Sequence, residues 1–183
     1  MRPSILATIL FLVLAQAAFC MPSRVLVIRT AEVEGQKLSL RGQIRAVTLT
    51  PFFLETDYLK TYGIPVAIFA LKRSFEIPNI ACIETVTPLA DKLGITIDSS
   101  YGAEELEKLA NEIKNNPAFT GKTVLVCWDN ERVNFLAEHL GVRPRPLPWP
   151  NEVFDRIWIM DFRPKSVEFR NYPQRLLYGD SFM

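Results

Sequence analysis

The residues able to do chemistry gather at two points where an apolar run stops abruptly in polar ones. In "VLVIRTAE" the run Val25 to Ile28 is followed by Arg29, Thr30 and Glu32, and in "VLVCWDNER" the run ending at Trp128 is followed by Asp129 and Asn130. A guanidinium beside a hydroxyl at a strand end can hold a small anion, and a nearby carboxylate can move a proton. Asp129 and Asn130 have a second reading, as caps accepting N–H bonds at the start of the next helix. The chain has one histidine, His139, in "LAEHLG", a place that suits a helix's last turn before a glycine stop. No metal site and no cofactor is expected.

Positioning these tips requires a sheet whose strands point the same way. Short β-rich runs, "RVLVIR", "VAIFAL", "ITI" and "TVLVCW", alternate with helical patterns, "LSLRGQIRAVTLTPFFL", "IETVTPLADKLG", "AEELEKLANEIKNN" and "ERVNFLAEHLG". Strands alternating with helices imply right-handed crossovers and an α/β three-layer sandwich, a mostly parallel central sheet with helices on both faces. The end differs: "RIWIMDF" and "SVEFRNY" flank "RPK" and predict an antiparallel hairpin at the sheet's edge. The Pro-rich "GVRPRPLPWP" reads as an ordered connection. Val25–Ile28 and Thr123–Cys127 are expected to be neighbouring central strands, because near-continuous apolar character marks strands covered on both faces. Arg29 and Asn130 then open into one crevice beyond the strands' carboxyl ends.

The 183 residues, 49% apolar and 22% charged, suit one compact domain, and a net charge of +1 without basic runs argues against nucleic acid. Residues 1–20 read as a signal peptide: "MRPS", then an apolar run too short to span a bilayer, then small residues that allow cleavage after Ala17 or Cys20. The expectation is a single domain over 21–183, secreted or extracytoplasmic, with no membrane association once the leader is removed. Export leaves two readings of Cys82 and Cys127, a disulfide or two unpaired thiols.

"LVIRTAE" followed by "LSLRGQIRA" resembles the opening of the histidine phosphatase (phosphoglycerate mutase-like) superfamily, where the first strand ends in Arg-His-Gly or Arg-His-Ala and a Leu-Ser/Thr-x-x-Gly-x-x-Arg-Ala helix follows. The likeness continues through "ACIETVTPLADKLGI", "GKTVLVCWDNERVNFLAEHLGV", "WPNEVFDRIWIMDF" and "PQRLLYGDS", nearly all of the mature chain. The resemblance implies a pocket in which a strand-tip histidine attacks phosphorus, arginines and a second histidine neutralise the phosphoryl oxygens, and an acid protonates the leaving group. Here the first arginine is present as Arg29, but the nucleophile position holds Thr30, the downstream arginine position Ala81 and the second histidine position Asn130.

The resemblance therefore implies a degenerate member: a secreted protein without catalytic residues, acting by binding a small anion or a protein partner. Arg29, Thr30, Asp129 and Asn130 are the candidate ligand contacts. Arg41, Arg45, Lys72 and Arg73 stand as further attraction for an anion or as solvated surface. The alternative is an active phosphomonoester hydrolase with atypical site residues. In the inactive reading a carboxylate, Glu32 or Asp129, replaces phosphate as the partner of Arg29, since a buried unpaired charge is costly. Trp149 and Phe182 are candidates for a partner-contacting surface or for packing at the end of the fold.

Overall fold

The computed structural model describes residues 21–61, 63–74 and 80–180. The expected leader and Phe182 lie outside the described residues. The order is β1 (Arg24–Arg29), β2 (Val33–Glu34), β3 (Lys37–Leu38), α1 (Leu40–Glu55), α2 (Asp57–Lys60), β4 (Pro65–Ala70), α3 (Ala81–Leu93), β5 (Ile97–Asp98), α4 (Leu106–Asn115), β6 (Thr123–Trp128), α5 (Val133–His139), β7 (Arg156–Arg163) and β8 (Ser166–Pro173).

Six strands form one sheet in the order β5-β4-β6-β1-β7-β8. β6 pairs in parallel with both β1 and β4, and β4 with β5. The chain then turns back: β7 lies antiparallel to β1, and β8 closes the hairpin at the edge. Every residue of β1 and of β6 is buried, the condition of strands covered on both faces. This is the expected α/β architecture with its C-terminal hairpin.

Local chemistry sets the element ends. Ser39 caps α1, its Oγ accepting from the Gly42 N–H, and Gly94 ends α3 in the left-handed conformation at φ 65°. Gly42 has a further reason to be glycine: a Cβ there would collide with the carbonyl of Glu32, so only glycine lets the first turn of α1 approach the chain leaving β1. Several boundaries differ from the sequence reading: α1 begins at Leu40 and not at Leu38, α4 at Leu106 and not at Ala103, and β5 is Ile97–Asp98 and not 95–97. α3 begins at Ala81, two residues before the apolar pattern that announced it, and the β2–β3 ribbon was hidden in a polar stretch whose only mark is the turn at Gly35.

At the end of the sheet opposite the site, the carboxylate of Asp161 on β7 accepts from Arg24 on β1 and from Arg170 on β8, joining three neighbouring strands.

Candidate functional site

The register aligns the two strand tips. Arg29 of β1 lies opposite Trp128 of β6, and beyond them the Thr30 N–H donates to the Trp128 carbonyl at 3.2 Å. Parallel pairing thus sets Arg29 and Thr30 beside Asp129 and Asn130 at the carboxyl ends of the two strands, and the Arg29 guanidinium reaches the Asn130 side chain.

Arg29 is held by an unexpected set of partners. Its Nη1 donates to the carbonyl of Asn151 at 2.8 Å and, at longer reach, to those of Pro150 at 3.1 Å and Val153 at 3.3 Å. Its Nη2 donates to Asn130 Oδ1 at 3.0 Å, and the guanidinium lies 4.0 Å from the centroid of the Phe154 ring. The expectation of a carboxylate partner is corrected here: no carboxylate is hydrogen-bonded to Arg29 among the described residues. A tight turn takes its place. Val153 N–H donates to the Pro150 carbonyl and Trp149 Nε1 to the Val153 carbonyl at 2.7 Å, and this folding aims three carbonyls at one guanidinium. Asn130 is fastened to the same turn, its Nδ2 donating to Asn151 Oδ1 at 2.6 Å. Burial lowers the pKa of Arg29, opposed mainly by the charge of Glu32.

The carboxylates are occupied elsewhere. Asp129 Oδ1 accepts from the Arg132 N–H at 2.9 Å and so closes the turn before α5. The helix's N-cap is Arg132, which has no side-chain cap bond, so the expectation that Asp129 or Asn130 caps it is corrected. Burial raises the Asp129 pKa above the ordinary value while the Arg132 bond opposes the rise. Glu32 faces the other way. It binds Arg45 through both oxygens, at 2.9 and 2.7 Å, and Arg41 at 2.9 Å. Asp180 completes the cluster by accepting from Arg45 Nη1 and Nη2 and from Arg41, and it also accepts the Leu176 and Leu177 N–H groups. Arg45 is 2% exposed, so neither reading of it as solvated surface or as an open anion contact holds. Burial alone would lower its pKa, but the bonds from Asp180 and Glu32 raise it instead. The same bonds hold both carboxylates below their ordinary values against the opposing effect of burial.

Beside this cluster is a cleft of about 300 Å³ lined by Glu32, Glu152, Asp155 and Asp180 as well as by Arg41 and Arg45. Four carboxylates against two guanidiniums make it a poor anion site.

The remaining sequence candidates fall as follows. Thr30 is half-buried, and among the described residues its hydroxyl makes no hydrogen bond, so no base is set against it. Ala81, at the start of α3, is fully buried with Ala31, Leu38 and Ala46 in a small apolar cluster. Thr85, one turn on, accepts from the Ala31 N–H at 2.9 Å and ties α3 to the chain leaving β1. His139 is exposed at the last position of α5, and Lys72 and Arg73 are exposed. Cys82 and Cys127 are buried unpaired thiols, and burial followed by the neighbouring Cys127 pushes the Cys82 thiol well up. Trp149 is 3% exposed and packs on Trp158, its ring centroid 4.8 Å away, so it belongs to the fold's end and not to a partner surface. Sequence reasoning missed the turn at 150–153. The signal for it was the Pro-rich approach, read only as an ordered connection.

No family model matches the chain, and comparison with curated protein sequences gives no match. Solved structures do match. A candidate phosphohistidine phosphatase, SixA, from Agrobacterium tumefaciens superposes with a TM-score of 0.54 at 15% identity, covering 83% of this chain and 97% of that one. The alpha-ribazole phosphatase from Shigella flexneri gives 0.59 at 9%, covering 86% and 100%, and the phosphoglycerate mutase from Plasmodium falciparum 0.54 at 11%, covering 87% and 96%. The fold is thereby defined as that of the histidine phosphatases. At the tip of β1 this chain has Arg29 followed by Thr30, and its one histidine, His139, lies on α5.

Proposed function

We propose that this protein is a catalytically silent, exported relative of the histidine phosphatases that acts by binding. The observation that carries the reading is the engagement of Arg29: its Nη donors are occupied by the carbonyls of Pro150, Asn151 and Val153 and by Asn130, where a working site keeps them for the phosphoryl oxygens. Chemistry at the tip points the same way. Thr30 holds its proton far above neutral pH and needs a base; Asp129 is turned to the Arg132 N–H, and a carboxylate there repels a phosphate dianion. Export rests on the leader-like first twenty residues.

A binding role has room in a second place. A cleft of about 560 Å³, lined by Pro146, Pro148, Trp149, Trp158 and Phe169 among others, lies on the far side of the turn that holds Arg29 and has the apolar, aromatic walls of small-molecule sites.

The test is a panel of phosphomonoesters, including a phosphohistidine peptide, assayed with the purified protein beside Thr30→Ala. Equal background rates and no acid-trappable phosphoprotein are expected. Turnover lost in Thr30→Ala would establish the active alternative, with Thr30 as nucleophile.

A further inference from the structure

Helix α1 is apolar on the wrong side as well as the right one. Ala46, Leu49, Phe52 and Phe53 face the core, but Leu40, Ile44 and Val47 recur on the opposite side at 72%, 49% and 62% exposure. At 100° per residue, Leu40, Ile44, Val47, Pro51 and Glu55 fall within one arc of about 80°. A helix apolar on both faces is normally buried on both. The groove beside this stripe, about 340 Å³, is lined by Lys37, Leu38, Val47 and Pro88.

The charges at the stripe's ends are set against the helix's own dipole. Lys37 precedes the N-terminus, Glu55 is the last helical residue, and no acid lies in the first turn and no base in the last. Each is the unfavourable sign for its end. Neither makes an ion pair among the described residues, and both are exposed. An antiparallel copy of the same helix reverses this: in the register that sets Ile44 opposite Val47 and Leu40 opposite Pro51, the Glu55 end of one helix lies over the N-terminal end of the other, where Lys37 of β3 leads into it.

We propose that the outer face of α1 is a two-fold interface between copies of this chain, closed at both ends by Lys37–Glu55 pairs. A two-fold axis requires a self-complementary patch, and this one has an apolar centre with opposite charges toward its two ends. The stripe is narrow compared with the roughly 800 Å² per partner of a standard interface, so a dissociation constant in the micromolar range or weaker follows.

Analytical ultracentrifugation of the purified protein from roughly 1 µM to 1 mM tests it. A reversible monomer–dimer equilibrium is expected, abolished by Ile44→Asp with an unchanged far-UV spectrum. Lys37→Glu alone weakens association about tenfold by setting like charges together, and Lys37→Glu with Glu55→Lys restores it. A protein that stays monomeric across the range, or a dimer indifferent to Ile44→Asp or to the charge exchange, overturns the proposal.

Discussion

Arg29 and Arg45 are both buried, both near the end of β1, and held in opposite ways. Arg45 lies between two carboxylates and binds each through paired oxygens, whereas Arg29 meets three carbonyls, one side-chain amide and an aromatic face. The difference separates a charge neutralised by carboxylates from one held by dipoles. Arg45 joins α1, the chain leaving β1 and the C-terminal turn at 176–180 in one neutralised cluster. Arg29 is surrounded by dipoles that engage Nη1 and Nη2 without cancelling its charge, while its buried Nε has no hydrogen-bond partner among the described residues, and most of those dipoles come from the turn at 150–153.

The largest expected effect separates them directly. Arg45→Met removes the buried cation between Glu32 and Asp180, leaving the two half-buried carboxylates to the more exposed Arg41, and should lower the unfolding free energy by about 3 kcal/mol, measured by urea titration. An effect below about 1 kcal/mol would mean that the cluster is surface decoration.

The same cluster predicts a pH dependence. Glu32 and Asp180 have folded pKa values below the ordinary 4.5 and 3.8, so the folded state binds their protons less readily than the unfolded chain does. Their stabilisation is full above those ordinary values and is lost as pH falls through the lowered folded values. Asp129 works in the opposite sense. Its folded pKa lies above 3.8, so acidification through that raised value relieves a burial cost. Stability should therefore fall on acidification below about pH 4 in the wild type, and Arg45→Met should flatten that slope.

Much of this was legible in the sequence, and its limits have a physical form. β1 and β6 announced themselves because strands covered on both faces become nearly continuous apolar runs. Parallel register then followed, and with it the meeting of Arg29 and Asn130. The α1 opening was readable from its apolar pattern and the "LSLRGQIRA" motif, but why Gly42 stands there, a close approach to the Glu32 carbonyl, needed the structure. The partners of the two arginines were not readable. Glu32 is near both in sequence, yet Arg45 takes it, and the choice depends on Asp180 and the turn at 150–153, both more than a hundred residues away along the chain. Long-range contacts of this kind leave no periodicity to find. α3 was placed late for a local reason: Ala81 and Cys82, at its start, are buried but have no side-chain cap to mark the helix's beginning.

Arg29→Met should have a smaller effect than Arg45→Met. It removes an uncompensated charge and leaves neutral carbonyls short of a donor, a loss of about 1–2 kcal/mol. A destabilisation equal to that of Arg45→Met would erase the distinction between the two sites.

The smallest expected effect bears most directly on the central claim, that the turn at 150–153 occupies the donors a phosphoryl group would need. The melting temperature of the wild type and of Arg29→Ala is measured with phosphate, vanadate or sulfate at roughly 10 mM, where a ligand with a dissociation constant well below that concentration would stabilise the fold by more than 1 kcal/mol. Occupied donors predict shifts below about 1 °C in both proteins. An upward shift of several degrees in the wild type that vanishes in Arg29→Ala would contradict the account and make the strand tip a working anion site.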